Sequence, residues 1–319
     1  MTNLLPNQLT SKITFIVGPT ATGKSDLAFS LSKKNACNIL VADSRQVYKD
    51  LVICSGADVP ASFSVQSNDE LPYSFFFDGE TELHGVAFLE TTDQWSLGAF
   101  HHYARQVLKR TLSQKKSLII VGGTGLYTHS LLLPAEHIIS SPSTNLRTEL
   151  QTLSLTELQS RVLTIDPQSE SKFNNSDWNN PRRLIRAIEI LSESPSPKID
   201  INMLKNEINL GDETIIPQWF GLTIEKEDLE QKIRARVVKR IEQGAIDEVE
   251  RLASSVDDKK LSIFSTTGVK EILGYINGMY EKEELVELWS RREFQYAKRQ
   301  ITWFKKREYI HWVSTEKSI

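Results

Sequence analysis

A chain of 319 residues with 39% hydrophobic and 25% charged residues has the balance of an average globular protein and room for one large domain or two modest ones. A formal net charge of −3 gives no global argument for nucleic acid, so any RNA or DNA site has to be a local patch. The only cysteines, Cys37 and Cys54, fit neither a disulfide framework nor a zinc spacing. The N-terminal stretch MTNLLPNQLTSKITF lacks the order of a signal peptide, and no apolar run approaches the ~20 residues that span a bilayer. A cytoplasmic protein with no membrane partner is expected.

Residues 12–18 (KITFIVG) read as a buried strand and 24–34 as an amphipathic helix. A second apolar strand follows at 37–43 (CNILVAD). The stretch 61–82 turns from polar to aromatic and reads as a long loop with a short hairpin. A helix is expected over 97–112, where His101 and His102 would point apart on the surface, and a third strand over 117–122 (SLIIVG). Apolar strands alternating with helices predict a parallel sheet covered on both faces, hence an α/β fold. The character changes after Pro134. Residues 145–193 carry helical periodicity, 193–200 (ESPSPKID) is a proline-serine break, and WFGLTI at 219–224 reads as a returning strand. The core is therefore expected to comprise 1–134 and 215–319, with 135–214 an all-helical insertion. Two long helical patterns follow, at 228–253 and 283–307.

The loop between the first strand and helix reads Gly18-Pro19-Thr20-Ala21-Thr22-Gly23-Lys24-Ser25 and fits G-x-x-x-x-G-K-[ST] in the context that motif requires. Its glycines let successive N–H groups turn toward phosphate oxygens, Lys24 adds a charge, and Ser25 can ligate Mg²⁺. The core is thus expected to be P-loop NTPase-like. Such loops usually bind nucleotides, ATP above all. ATP hydrolysis usually also needs an acidic residue ending another core strand, yet the strand at 117–122 runs into Gly-Gly-Thr.

Asp43 closes the strand CNILVAD at the sheet edge where the phosphate loop also lies. It suits a general base or metal partner, with a helix cap or turn residue as the alternative. Thr124 occupies the matching place after SLIIVGG, as a phosphate donor or as an N-cap.

Residues 286–308 carry seven lysines and arginines against three glutamates. Arg291, Lys298 and Lys305 are seven apart, as are Arg292, Arg299 and Lys306, so the six charges form adjacent stripes on one helical face. Such a face can track a nucleic-acid backbone or simply be solvated. A second basic knot, Pro181-Arg182-Arg183-Leu184-Ile185-Arg186, opens a helix in the insertion.

Taken together, GPTATGKS (18–25), ADSRQVYKDL (42–51), VGGTGLYTHSLL (121–132), NPRRLIRAIEI (180–190), TTGVKEIL (266–273) and QYAKRQITWFKKR (295–307) resemble the bacterial-type tRNA dimethylallyltransferases, also called tRNA isopentenyltransferases. The pieces occur in the family's order across nearly the whole chain. The resemblance implies that the loop grips dimethylallyl diphosphate rather than a nucleotide. The dimethylallyl group would pass to the exocyclic amine of the adenosine 3′ of the tRNA anticodon. On that likeness Asp43 is the general base, Thr124 contacts the leaving diphosphate, and Ser44, Arg45 and Gln46 meet the target base. Arg147, Arg182, Arg183, Arg186, Lys270, Lys298, Arg299, Gln300 and Lys305 match stretches that contact the anticodon stem-loop. A monomer using Mg²⁺ is expected.

The chain also departs from the family. Ser55-Gly56-Ala57-Asp58-Val59-Pro60 stands where Gly-Thr-Ala-Lys-Pro is common, turning the lysine into Asp58. A His-His-x-x-Asp segment appears as Leu83-His84-Gly85-Val86-Ala87, and Ala99 and Val269 replace an aspartate and a tyrosine. Two other classes stay open: a small-molecule or nucleoside kinase, which shares the phosphate loop, can use a post-strand Asp as base, and would bind ATP tightly and ignore RNA; and, suggested by these changes, a non-catalytic relative that binds tRNA without turnover.

Overall fold

The computed structural model describes residues 9–133, 144–193 and 204–315. The break expected at 193–200 and the start of the insertion lie outside them, apart from Glu193. Strand β1 (Ile13–Val17) leads through the phosphate loop into helix α1 (Lys24–Asn35), followed by β2 (Asn38–Val41) and the short helix α2 (Val52–Ser55). The long stretch at 61–82 contains the hairpin β3 (Ser64–Gln66) and β4 (Phe75–Phe77), and β5 (Glu82–His84) follows it. Then come α3 (Leu97–Ser113), β6 (Leu118–Gly122) and α4 (Gly125–Ser130).

Two compact units partition the chain, and the inner one is Pro134–Met203. Its described part is α5 (Thr144–Gln151), α6 (Leu155–Ile165), α7 (Ser169–Lys172), α8 (Asn175–Trp178) and α9 (Pro181–Glu193). Leu150, Leu158, Val162, Leu184 and Ile188 form its own core, and a Ser154–Glu157 capping box opens α6.

The insertion was expected to run to residue 214, but the stretch from Leu204 belongs to the outer unit. Strands β7 (Ile208–Asn209) and β8 (Thr214–Ile215) pair antiparallel, and Ile208 and Ile215 are buried in the main core. Trp219 on β9 (Gln218–Thr223) donates its indole N–H to Asn206 at 2.8 Å. The helical pattern at 228–253 is two helices, α10 (Lys226–Glu242) and α11 (Ala245–Ser255). They part at Gly244, whose φ of +99° ends the first helix. The chain finishes with α12 (Val269–Ile276), the long α13 (Lys282–Phe304) and β10 (His311–Ser314).

The sheet order is β10-β9-β1-β6-β2-β5-β4-β3, parallel from β10 to β5 and antiparallel at the hairpin edge. The central strands are mostly apolar because both faces are covered. Phe15, Leu40 and Ile120 enter one core cluster, while Ile16, Ile39 and Ile119 enter the cluster shared with Leu27 and Leu31 of α1. His101 is buried rather than on the surface: α3 turns Phe100, His101 and Ala104 inward and leaves His102 exposed. Burial lowers the His101 pKa to about 4.

Candidate active site

At their carboxyl ends β1, β2 and β6 bring three loops to one edge, the place where open α/β sheets put their ligands. These loops, with α10 and α13, enclose a cleft of about 740 Å³ in the outer unit. Thr20 to Ser25 line it, together with Asp43, Ser44, Arg45 and Gln46.

In the phosphate loop Lys24 Nζ donates to Pro19 O at 2.5 Å, and the Thr22 hydroxyl donates to the same carbonyl at 2.9 Å. Burial lowers the Lys24 pKa to about 8, and the carboxylates of Asp43 and Glu293 offset part of that effect. An anion bound beside it would restore the full charge.

Asp43 does serve a turn: Oδ1 accepts the backbone N–H of Arg45 at 2.8 Å and of Gln46 at 3.3 Å. That bond fixes the Ser44–Gln46 segment along the cleft and leaves Oδ2 outside the turn. Thr124 opens α4 without a side-chain cap bond, so its hydroxyl is not spent on capping. It lies 3.5 Å from the Tyr296 hydroxyl.

Helix α13 has two working faces. Exposed Arg291, Arg292, Lys298 and Arg299 form the basic one, continued past the helix end by exposed Lys305 and Lys306. Exposed Lys270 of α12 joins Arg291 and Arg292 around a second cavity of about 230 Å³. Arg307, by contrast, is buried and donates through Nε to His129 Nε2 at 3.2 Å.

Glu293, Tyr296 and Gln300 sit at i, i+3 and i+7 on the other face and line the cleft. Gln300 does not belong with the exposed stripe. It is buried, and its Oε1 accepts the Thr20 N–H at 2.9 Å. Burial, with Asp43 nearby, pushes the Tyr296 pKa up to about 12, so it remains a neutral phenol.

A second set of cations comes from α10. Lys232, Arg236, Lys239 and Arg240 line the cleft, and Arg236 bonds the Thr20 hydroxyl. Sequence reasoning missed these residues and Glu293 and Tyr296. The available signal was the i, i+4 spacing of Arg236 and Arg240 and an inward stripe behind the basic one.

Within the inner unit Arg147 and Arg186 are engaged with a carboxylate. Arg147 Nε and Nη2 donate to the fully buried Glu189 at 2.7 and 2.9 Å, and Arg186 Nη1 donates to it at 3.1 Å. Arg183 pairs with Asp177, and Arg182 is exposed.

A family model described as IPP transferase matches residues 78–307, and one described as isopentenyl transferase matches residues 11–68. The chain belongs to the IPP transferase family. Among curated relatives, the tRNA dimethylallyltransferase of Alkaliphilus oremlandii is 32% identical over 94% of this chain and 90% of its own. The tRNA dimethylallyltransferase 2 of Geotalea uraniireducens is 33% identical over 96% of this chain and 93% of its own. The solved tRNA delta(2)-isopentenylpyrophosphate transferase of Staphylococcus epidermidis superposes with a TM-score of 0.63 at 26% identity, covering 96% of this chain and 94% of that one.

Two departures from the family pattern can now be placed. Asp58 lines the cleft, and Val269 is buried at the start of α12. Among the described residues no helix is long and apolar enough to cross a membrane.

Proposed function

We propose that this family member transfers the dimethylallyl group of dimethylallyl diphosphate to the exocyclic amine of the adenosine 3′-adjacent to the tRNA anticodon, releasing diphosphate. The observation that carries the proposal is one cleft in which a phosphate loop, a carboxylate just past the end of β2 and a basic helix meet. The relatives named above carry the names of that activity. The protein would act in the cytoplasm as a monomer.

The adenine amine is a poor nucleophile because its lone pair is delocalised into the ring. An allylic donor helps, since positive charge at the reacting carbon spreads over the double bond as the bond to diphosphate lengthens. The backbone N–H groups of Ala21 to Ser25, with Lys24, Arg236 and Thr124, would hold the departing oxygens. Asp43 would take the proton as nitrogen attacks, which requires the adenosine to leave its stack and enter the cleft beside Ser44, Arg45 and Gln46. Lys270, Lys298, Arg299 and Lys305 would hold tRNA phosphates, as would Arg182 and Arg183 on the inner unit. Arg147 and Arg186 would do so while paired to Glu189.

Ser25 and Asp43 are hard oxygen donors lining the same cleft, which fits Mg²⁺ held mainly by phosphate oxygens and water. When bound, the ion would neutralise charge developing on the leaving group.

Incubation with labelled dimethylallyl diphosphate, Mg²⁺ and unmodified tRNA tests the proposal. Label in the RNA supports it. Tight ATP binding with no transfer to RNA would point to a kinase, and tRNA binding without transfer to a non-catalytic relative.

A further inference from the structure

The cleft wall contains a buried ion pair that the proposed chemistry leaves unused. Arg240 Nη1 and Glu293 Oε1 are 3.2 Å apart, with side chains only 5% and 10% exposed. Arg240 Nη2 also donates to Ser55 O at 3.3 Å, and the Trp289 indole N–H donates to Glu293 Oε1 at 3.4 Å. Burial pushes the Glu293 carboxyl upward, and Arg240 pulls it back toward the charged form. A buried pair of this kind is weak support for stability, because an apolar pair of similar volume often serves as well. Its placement suggests another use.

Both residues line the cleft with Lys24 and Asp43. Arg240 lies one helical turn beyond Arg236, and the two guanidinium groups converge on Gly56. A Cβ at Gly56 would stand 2.0 Å from Arg240 Nη2 and 2.7 Å from Arg236 Nη2. The φ of +69° there also suits glycine, so this position leaves room for both cations. Arg236 continues the row to Thr20 of the phosphate loop. Asp58, standing where the family pattern has lysine, puts a carboxylate on the same cleft, so the positive charge near Ser55 comes from α10 instead.

Building on the proposed function, we infer that Arg240 is a further diphosphate-binding residue of this cleft and that Glu293 is the positioning residue that fixes its guanidinium there. A guanidinium carries five N–H donors in a planar fork suited to paired phosphate oxygens, and the bonds to Glu293 and Ser55 use two of them. Glu293 and Ser55 hold the group from one side, which lowers the cost of ordering it when the ligand arrives.

The test is calorimetric titration of the full chain with inorganic diphosphate and Mg²⁺, alongside KM for dimethylallyl diphosphate, kcat and tRNA affinity. The double variant Arg240→Met/Glu293→Gln removes both charges and leaves no unpaired buried carboxylate. It should weaken diphosphate binding on the order of tenfold to a hundredfold, as expected for a charged hydrogen bond. Donor KM should rise more than kcat falls, and tRNA affinity should stay unchanged. Arg240→Lys keeps the charge without the fork and should recover part of the loss; Glu293→Gln should fall between. Wild-type diphosphate affinity in a folded double variant overturns the inference, as does a loss confined to tRNA binding. If the double variant does not fold, Arg240→Lys with unaltered diphosphate affinity overturns it equally. A wild-type protein that binds diphosphate through Arg240 but prenylates no tRNA would contradict the proposed function while leaving this site standing.

Discussion

Gln300 Oε1 accepts the backbone N–H of Thr20 at 2.9 Å, tying the last turn of the long basic helix to the phosphate loop. One helix therefore shows cations to solvent and anchors the phosphate loop from behind. Gln300→Ala removes one acceptor worth about 1 kcal/mol, so donor KM should rise on the order of fivefold. Its tRNA affinity should match wild type at every salt concentration. A drop in tRNA affinity with donor KM unchanged would return Gln300 to the RNA-facing side.

Lys24 should make donor binding proton-linked. Its pKa of about 8 lies below the ordinary 10.5, so between those values the unfolded chain binds more protons and the Lys24 contribution to stability rises with pH. A bound diphosphate acts the other way, raising the pKa and drawing a proton onto the amine. Calorimetry at pH 9 in buffers of different ionisation enthalpy should show proton uptake that is nearly absent at pH 7. Lys24→Met should remove that difference and cost about 1.5–3 kcal/mol of donor binding.

The stripe should appear as a salt effect. Lys298→Ala/Lys305→Ala should weaken tRNA binding and lower the slope of log K against log salt by about one to two, as the loss of one or two phosphate contacts requires. Fluorescence titration across a salt series reads both numbers. Unchanged curves would make the face merely solvated.

In the inner unit, Arg147→Ala leaves the buried Glu189 with only Arg186 among its two arginine partners. Losing both Arg147 hydrogen bonds to that carboxylate should lower the local stability of α5 and α9 by at least about 1.5–3 kcal/mol, the worth of one charged hydrogen bond, read as faster amide exchange in those helices. Arg182→Ala, exposed and with no such partner among the described residues, should leave exchange unchanged.

The sequence made the sheet legible wherever apolar runs were continuous, as at Ile13–Val17 and Leu118–Gly122, because both faces of those strands are covered. It revealed the phosphate loop through spacing and Asp43 through its place at a strand end. Strands of two or three residues, such as β7 and β8, carry too little periodicity to be seen. Gln300 lies in a stretch that the resemblance matches to tRNA contacts, and its inward orientation against Thr20, which depends on tertiary packing, could not be read from its neighbours Lys298 and Arg299. Arg240 and Glu293 were invisible for a related reason: each looks like an ordinary surface charge until α10 and α13 pack against one another.

In the proposed reaction Asp43 takes the proton, and Asp43→Asn is the cleanest change to it. The asparagine oxygen can still accept the Arg45 and Gln46 N–H groups that hold the turn, but the side chain cannot take a proton. Single-turnover transfer from labelled dimethylallyl diphosphate to unmodified tRNA, followed by nucleoside digestion, should give one dimethylallylated adenosine with the wild-type protein. The variant should be slower by ~10²–10⁴, the usual worth of general acid–base catalysis, with donor and tRNA affinities nearly unchanged. A wild-type protein that yields no modified adenosine, or an Asp43→Asn protein that turns over at the wild-type rate, would contradict it.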